Sequence, residues 1–286
     1  MIKYNTLGEL LQAYRKFNNI SQLDFAISMG VDVRTAQRWE NNATLIKQTM
    51  EDELIKNTLI PHQIIRNLNS SIPIPTYFDF VIRKYSISRL GMVTPDVEWV
   101  KRHIDIYTES ITGIKTEADF NDIYKYISWQ YTPKNKYSIE VLKKASEICP
   151  SLNIIMRNQG GYYTGHYCVL PIRKYIYQKL KNREMSNSEI TIHDIVEDVI
   201  RDKPVYYTIS HSAETNDLLE YLLAAIMRYF QENENGDFTV ASFSNRHDTR
   251  QLSKQLGLNP VWHQEDENQL QNNIVFSEGN FVDSIF

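Results

Sequence analysis

The sequence predicts an α+β protein of two domains, in which an all-α helical bundle precedes a mixed α/β domain. The length of 286 residues suits two domains better than one core, since a domain usually spans about 100–200 residues. Over residues 1–70 apolar side chains recur at helical spacing between polar turns, whereas beyond 110 strand-like and helix-like segments alternate. We therefore expect an N-terminal domain over 1–70, a linker with a hairpin and a helix over 71–110, and an α/β domain over 111–286.

The N-terminal domain is expected to contain short helices joined by tight turns. Its first helix is marked by apolar residues at helical spacing, namely Leu7, Leu10, Leu11 and Tyr14. Ser21 is a suitable N-cap for the second helix, and Asp32 is one for a third helix, Val33 to Glu40. Leu45–Leu59 and Pro61–Leu68 predict two further helices, the last with proline in its favoured first turn.

Beyond residue 70 the pattern changes from helical to mixed. Phe78–Ile82 and Tyr85–Ser88 predict a hairpin, and Thr94-Pro95-Asp96 opens a helix that continues through Trp99 and Ile104. Further helices are expected at Glu117–Tyr131, Ile139–Ile148, Asp217–Gln231 and Thr249–Leu256. Strands are expected at Asn153–Arg157, Tyr163–Pro171, Val205–Ser210 and Phe238–Ser242, with a final apolar stretch around Val261-Trp262 and Ile274–Phe276. This alternation predicts a largely mixed sheet with helices packed on it.

Charge and cysteine content restrict the classes of function. The formal charge is −4, but residues 1–90 hold 11 Lys and Arg against 8 Asp and Glu, a net of +3 that leaves −7 for the remainder. This asymmetry favours the N-terminal part as the end that faces phosphate. Two cysteines exclude a disulfide scaffold or a multi-cysteine zinc site, and the longest apolar run, Tyr221–Met227, is far shorter than a membrane span of about 20 residues. We expect a cytoplasmic protein without a membrane partner.

One segment of the N-terminal domain carries a sequence motif. Its elements, in order, are Ser21-Gln22, Phe25-Ala26, Gly30-Val31-Asp32 and Thr35-Ala36-Gln37-Arg38-Trp39-Glu40. On these residues the segment resembles the helix-turn-helix of the phage-repressor-like family, often called Xre or Cro/C1. The family often has glycine where Asn42 stands, and asparagine tolerates the left-handed conformation better than most residues. The resemblance implies a bacterial or phage transcription regulator that binds double-stranded DNA.

The resemblance also implies which side chains contact DNA. Those that would face base edges in the major groove are Val33, Arg34 and Arg38, with Gln37 on the same outward side. Those that would contact the phosphate backbone are Gln22, Thr35, Asn41 and Asn42. Ala36 and Trp39 are expected in the core. Two other interpretations stay open, a small helical domain whose arginines are merely solvated and a module that binds protein.

The C-terminal domain resembles the GNAT acetyltransferase fold in the order of its segments. The segment Gly165–Ile172 is similar to the family's third strand, Val205–Ser210 to its fourth, and Leu218–Phe230 to its cofactor helix. Phe238–Ser242, followed by Asn245 and a helix through Leu258, resembles the fifth strand and the helix after it. The resemblance implies acetyl-CoA as the cofactor of an active member.

Two departures from the family argue against that cofactor. Active members hold the pyrophosphate with a Gln/Arg-x-x-Gly-x-Gly/Ala loop and the helix N-terminus that follows it. Here the loop is His211-Ser212-Ala213-Glu214-Thr215-Asn216-Asp217, which lacks glycine and basic residues and carries two carboxylates. Ser253 stands where many members have the tyrosine that protonates the departing thiolate. We therefore expect a degenerate site at Ala213–Asp217, with no catalytic residue and no bound cofactor.

Other chemistry is weakly indicated by the sequence. His211 is a candidate general base at a strand end, against the alternative of a bond to nearby backbone. Cys149 or Cys168 would need an activating partner to act as a nucleophile, and a buried apolar role is favoured for Cys168. The histidines form no His-x-x-x-His pair, so no metal site is expected. The tyrosines of one stretch either line a ligand pocket or pack in the sheet, with packing favoured: Tyr162, Tyr163, Tyr167, Tyr175 and Tyr177.

The sequence thus predicts a sequence-specific transcriptional regulator whose C-terminal domain senses a small-molecule or protein ligand or mediates assembly. The alternatives are an active acetyl-CoA-dependent N-acetyltransferase fused to a DNA-binding module and an antitoxin-like protein that binds a partner. A homodimer is expected because one module contacts only a half-site. Unless the C-terminal domain covers this surface, the dimer contact is expected in residues 55–90. The extended run Ile72–Ile87 offers an apolar edge there, and four apolar side chains exceed what a small bundle buries: Leu59, Ile64, Ile65 and Leu68.

Overall fold

The computed structural model describes residues 1–88, 97–102, 108, 110–130, 136–233, 238–244, 247–264 and 274–280. It divides the chain into two compact units. The first consists of Met1–Val93 with Ala213–Asn216, and the second of Thr94–Ser212 with Asp217–Phe286. The hairpin expected within the segment 71–110 therefore lies in the first unit rather than in a linker.

The first unit contains short helices and a small antiparallel sheet. Its helices are α1 (Leu7–Asn18), α2 (Gln22–Ser28), α3 (Val33–Glu40), α4 (Gln48–Thr58) and α5 (His62–Leu68). Its strands are β1 (Ile2–Tyr4), β2 (Thr76–Asp79) and β3 (Lys84–Ser86), in the order β1-β2-β3. Strand β1 departs from the all-α prediction for residues 1–70. It forms by pairing with a distant strand, with Lys3 opposite Tyr77, and not through any local sequence signal.

The core of the first unit lies between the helices and the inner face of this sheet. Ile64 and Ile65 of α5 have no exposed surface, and Leu68 is 2% exposed. They belong to the same apolar cluster as Phe78 and Phe80 of the hairpin. The prediction that the α5 side chains are exposed and pair with a second copy is therefore wrong. Residues 76–80, which the sequence analysis assigns to the linker, cover them.

The second unit alternates strands and helices. Its helices are α6 (Val97–Arg102), α7 (Glu117–Gln130), α8 (Ile139–Ile148), α9 (Lys174–Lys181), α10 (Val199–Asp202), α11 (Asn216–Asn233, whose first residue belongs to the first unit) and α12 (His247–Gln255). Its strands are β4 (Ile111–Gly113), β5 (Ile154–Arg157), β6 (Tyr163–Ile172), β7 (Val205–Ala213), β8 (Thr239–Ser244), β9 (Asn259–Gln264) and β10 (Ile274–Gly279). The start of the helix expected from Thr94 and its end at Ile104 lie outside the described residues, as do Tyr131 and Asn245.

These strands form one mixed sheet of order β4-β5-β6-β7-β8-β10-β9. Strands β7 and β8 run parallel, with Val205 opposite Thr239 and Thr208 opposite Ser242. Pairing is antiparallel for β4 with β5, β5 with β6, β8 with β10 and β10 with β9. The mixed α/β prediction for this region is confirmed. Among the described helices, none has the length and hydrophobicity needed to cross a membrane.

A buried ion pair fastens the segment Ala213–Asn216 within the first unit. Arg83 donates from Nη2 to Glu214 Oε1 at 3.1 Å and from Nε to the Leu59 carbonyl at 2.6 Å. Both charged side chains are at most 4% exposed, and the Tyr85 amide donates to the Glu214 carbonyl at 2.8 Å. Burial raises the pKa of Glu214 to about 7, although the Arg83 guanidinium acts in the opposite direction.

Replacing Ile65 by alanine is expected to destabilise the chain by about 2–5 kcal/mol, because a buried isoleucine loses its contacts and leaves a cavity. The matched control is Ile200→Ala in α10, which should change the free energy of unfolding by less than about 0.5 kcal/mol because Ile200 is 86% exposed. Urea unfolding of both full-length variants measures the two changes. Equal effects would contradict the placement of Ile65 in the core.

Glu214 should give the stability a pH dependence of defined sign. Its pKa lies near 4.5 ordinarily and at about 7 in the folded chain, so the folded state holds the extra proton between these values. The stability contributed by this group is present below about pH 4.5 and is lost as the pH rises to about 7. The Glu214→Gln side chain cannot titrate and does not lose this stability. The free energy of unfolding of the variant minus that of the wild type should therefore increase as the pH rises from about 4.5 to about 7. Urea unfolding over the same pH range measures this difference. If it does not change with pH, the raised pKa of Glu214 is refuted.

Candidate functional site

Local sequence signals build helices α2 and α3 of the first unit and the turn between them. At the start of α2 the Ser21 hydroxyl accepts from the Asp24 amide at 3.1 Å, while the Asp24 carboxylate accepts from the Ser21 amide at 3.1 Å. Gly30 takes a φ of 63°, which lets the chain leave α2 in the left-handed region. Asp32 then caps α3 by accepting from the Thr35 amide at 2.9 Å. The order and bounds of α2 and α3 follow from these caps.

Helix α3 has one exposed polar face and one buried face. Arg34, Gln37, Arg38 and Asn41 follow at helical spacing and are all exposed. The buried side consists of Ala36, Trp39 and Glu40, as predicted for the first two. Within the described residues the guanidinium groups of Arg34 and Arg38 make neither an ion pair nor a hydrogen bond. Their charges are therefore available to a partner outside the chain.

The remaining α3 residues expected at DNA are more enclosed. Val33 is half-buried and packs against the core of the first unit. Thr35 is half-buried as well, and its hydroxyl donates to Asp32 Oδ2 at 2.7 Å as part of the helix cap. The structure therefore gives both side chains an internal role at the start of α3.

Gln22 and Asn42 are bonded to the protein in ways that the sequence did not indicate. Gln22 Nε2 donates to Glu40 Oε2 at 2.9 Å, so its amide is turned toward α3. Asn42 has a φ of 55°, the left-handed conformation for which the family often has glycine. Its Oδ1 accepts from the Gly8 amide at 2.9 Å, which binds the end of α3 to the start of α1.

The loop expected to replace a cofactor site is shorter than predicted. Strand β7 continues through Ala213 instead of ending at Ser210, and α11 begins at Asn216, so only Glu214 and Thr215 connect them. Asp217 is exposed in the first turn of α11. The carboxylate of Glu214, one of the two that the sequence places in this loop, is buried and faces Arg83.

The other candidate residues of the second unit have structural surroundings. Ser253 is 6% exposed on α12. His211 is half-buried and stacks on the ring of Tyr167, with centroids 5.5 Å apart. Cys149 and Cys168 are buried, and burial raises the pKa of the Cys168 thiol, which disfavours the thiolate that a nucleophile needs. The apolar role predicted for Cys168 agrees with its place in the core.

The tyrosine-rich stretch divides between packing and exposure. Tyr167 and Tyr177 are each 4% exposed, and Tyr177 stacks on Phe276 with centroids 6.0 Å apart. Tyr175 is 55% exposed, with the Lys179 ammonium 5.9 Å from its ring centroid. Packing is thus confirmed for the two buried side chains.

A buried polar chain in the sheet was missed by sequence reasoning. His166 has no exposed surface, and its Nε2 lies 2.7 Å from Ser210 Oγ while its Nδ1 is hydrogen-bonded to the Tyr163 hydroxyl. Ser210 is 44 residues further along the chain, so no local pattern connects the pair. Across the described residues, no group of three His, Cys, Asp or Glu side chains is placed to hold a metal ion.

Comparisons with known proteins add a distant structural likeness. No protein-family model matches the chain, and no curated protein matches it. A solved structure, described as histone acetyltransferase HPA2 and related acetyltransferase from Corynebacterium glutamicum ATCC 13032, is similar at 11% identity and a TM-score of 0.33. The likeness covers 59% of this chain and 94% of that one.

Proposed function

We propose that this protein is a transcriptional regulator that binds duplex DNA through α2 and α3. The observation that carries the proposal is the exposed face of α3, where Arg34 and Arg38 make no ion pair with described residues. An α-helix fits the major groove, and arginine pairs with guanine there while glutamine pairs with adenine. Arg34 and Gln37 are accordingly the proposed base readers, and Arg38 and Asn41 contact the same groove or its phosphate edge.

The protein is proposed to act as a homodimer, because one α3 reaches only half of a paired site. The buried residues of α5 no longer support a contact in 55–90, as they lie in the core of the first unit. The same range still exposes apolar surface elsewhere, with Ile72 83%, Ile74 54% and Ile87 68% exposed. We place the contact on these side chains.

The second unit is proposed to sense a ligand or to mediate assembly without using acetyl-CoA. A rival function, acetyl transfer, is favoured by the order of β6, β7, α11 and β8, which follows the order of segments in the GNAT resemblance. Against it, Glu214 and Thr215 alone join β7 to α11, and neither is glycine. Because the Glu214 side chain and carbonyl are both hydrogen-bonded within the first unit, this connection has little freedom to wrap a pyrophosphate.

DNA selection by the full-length protein is the first test. Repeated selection from a pool of random duplexes should yield two half-sites related by two-fold symmetry, with centres about one helical turn apart. Arg34→Ala should then lose about 1–3 kcal/mol of discrimination at one base position of each half-site while binding to scrambled DNA stays nearly unchanged. The matched control is Arg201→Ala, an exposed arginine of α10. Uniform weakening on all duplexes would make Arg34 a phosphate contact, and no selected sequence at all would refute DNA-binding regulation.

Acetyl-CoA binding is the second test. Titration calorimetry of the purified chain with acetyl-CoA should show no saturable heat, because the β7–α11 connection has no glycine backbone to cradle the pyrophosphate. Acetyl transfer to amine substrates should stay at the background rate. Saturable binding of one cofactor per chain would overturn this part of the proposal and establish the enzyme alternative.

A further inference from the structure

Glu40, the last residue of α3, is the point at which the three N-terminal helices are bonded to one another. Its carboxylate is 3% exposed and accepts from the Arg15 guanidinium of α1, including a bond of 2.9 Å from Nη2 to Oε2. Gln22 of α2 donates to the same Oε2 at 2.9 Å. Gln12 of α1 donates to the Glu40 carbonyl at 2.9 Å. One residue of α3 thus receives donors from both neighbouring helices.

The backbone of α1 also approaches the end of α3 closely. A Cβ atom at Gly8 would lie 2.3 Å from the Glu40 carbonyl oxygen and 2.8 Å from the side-chain amide of Asn42. Gly8, Gln12 and Arg15 lie at helical spacing, so they form one face of α1. The end of α3 is held against this face by backbone contact and side-chain bonds together.

This arrangement bears on the direction in which α3 presents its side chains. Glu40 is held inward by its donors, and the rotation of a helix about its axis is set by any residue fixed in this way. Arg34 and Gln37 precede Glu40 by six and three positions on the same rigid helix, so their directions follow from it. A change in the bond from Gln22 would rotate or loosen the face proposed to read bases.

We propose that Gln22 is a positioning residue that acts through Glu40 to orient α3, and that it governs discrimination between sequences instead of contacting phosphate. The inference rests on the proposed DNA-binding function. A phosphate contact contributes to binding of all sequences alike, whereas base contacts depend on the geometry of the recognition helix. The two roles of Gln22 therefore predict different effects on specific and non-specific DNA.

The test compares full-length Gln22→Met with the wild type on a duplex selected by the wild type and on a scrambled duplex, at one salt concentration. Methionine has nearly the length of glutamine but no donor for Glu40. The dissociation constant for scrambled DNA divided by that for the selected duplex should fall about fivefold or more, which is the value of one good base contact. The dissociation constant for scrambled DNA itself should stay within about twofold of the wild-type value. Gln48→Ala is the control, since Gln48 is the first residue of α4 as Gln22 is of α2, but its side chain is exposed whereas that of Gln22 is half-buried and bonded to Glu40.

The outcomes separate the competing roles. Equal weakening on both duplexes would make Gln22 a phosphate contact, and an unchanged ratio with unchanged affinities would deny it any role; either result overturns the inference. If Gln22→Met shows a reduced thermal midpoint, Gln22→Ser is measured in the same way, so that the ratio is obtained from a folded variant. Absence of any DNA preference in the wild type would instead refute the proposed function, and that result is visible before any variant is made.

Discussion

The buried carboxylate of Glu40 is the constraint on which the N-terminal unit depends. A charge removed from water is stable only when it is paired and hydrogen-bonded. Helix α1 supplies Arg15 and α2 supplies Gln22, so the charge is satisfied only when all three helices are assembled. The burial of Glu40 also decides which side of α3 faces solvent. When Glu40 points inward, Arg34 and Arg38 of the same helix point outward.

Much of this fold is specified by short-range signals that a sequence displays. The caps at Ser21 and Asp32 and the positive φ of Gly30 lie within three residues of the atoms that they serve, and α8 has the bounds Ile139–Ile148 that its spacing predicts. Strand β1 has no such signal, since Ile2–Tyr4 is too short for an alternating pattern and forms by pairing with residues more than seventy positions away. Tertiary pairing of this kind is absent from any local window of sequence.

The candidate site shows the same division. Exposure of Arg34, Gln37 and Arg38 follows from helical periodicity, and the structure places all three on the solvent face. Gln22 is bonded to Glu40, 18 positions away, and Asn42 to Gly8, 34 positions away. No rule of residue spacing predicts bonds of this kind. For the same reason α5 was expected to leave apolar surface exposed. The hairpin residues that bury Ile65 lie beyond the boundary that the change in composition suggested.

Glu214 is another buried acid of the first unit, and its partner Arg83 has a strained backbone. Arg83 holds a positive φ of 54°, which costs a non-glycine residue about 1–2 kcal/mol, and its bonds to Leu59 and Glu214 offset that strain. Glu214 belongs to the connection that would have to hold a pyrophosphate if the second unit used acetyl-CoA. Moving the Glu214 carboxylate away from Arg83 would break a buried ion pair, which costs about 3–5 kcal/mol. The bonds of the Glu214 side chain and carbonyl within the first unit therefore restrain the short connection between β7 and α11.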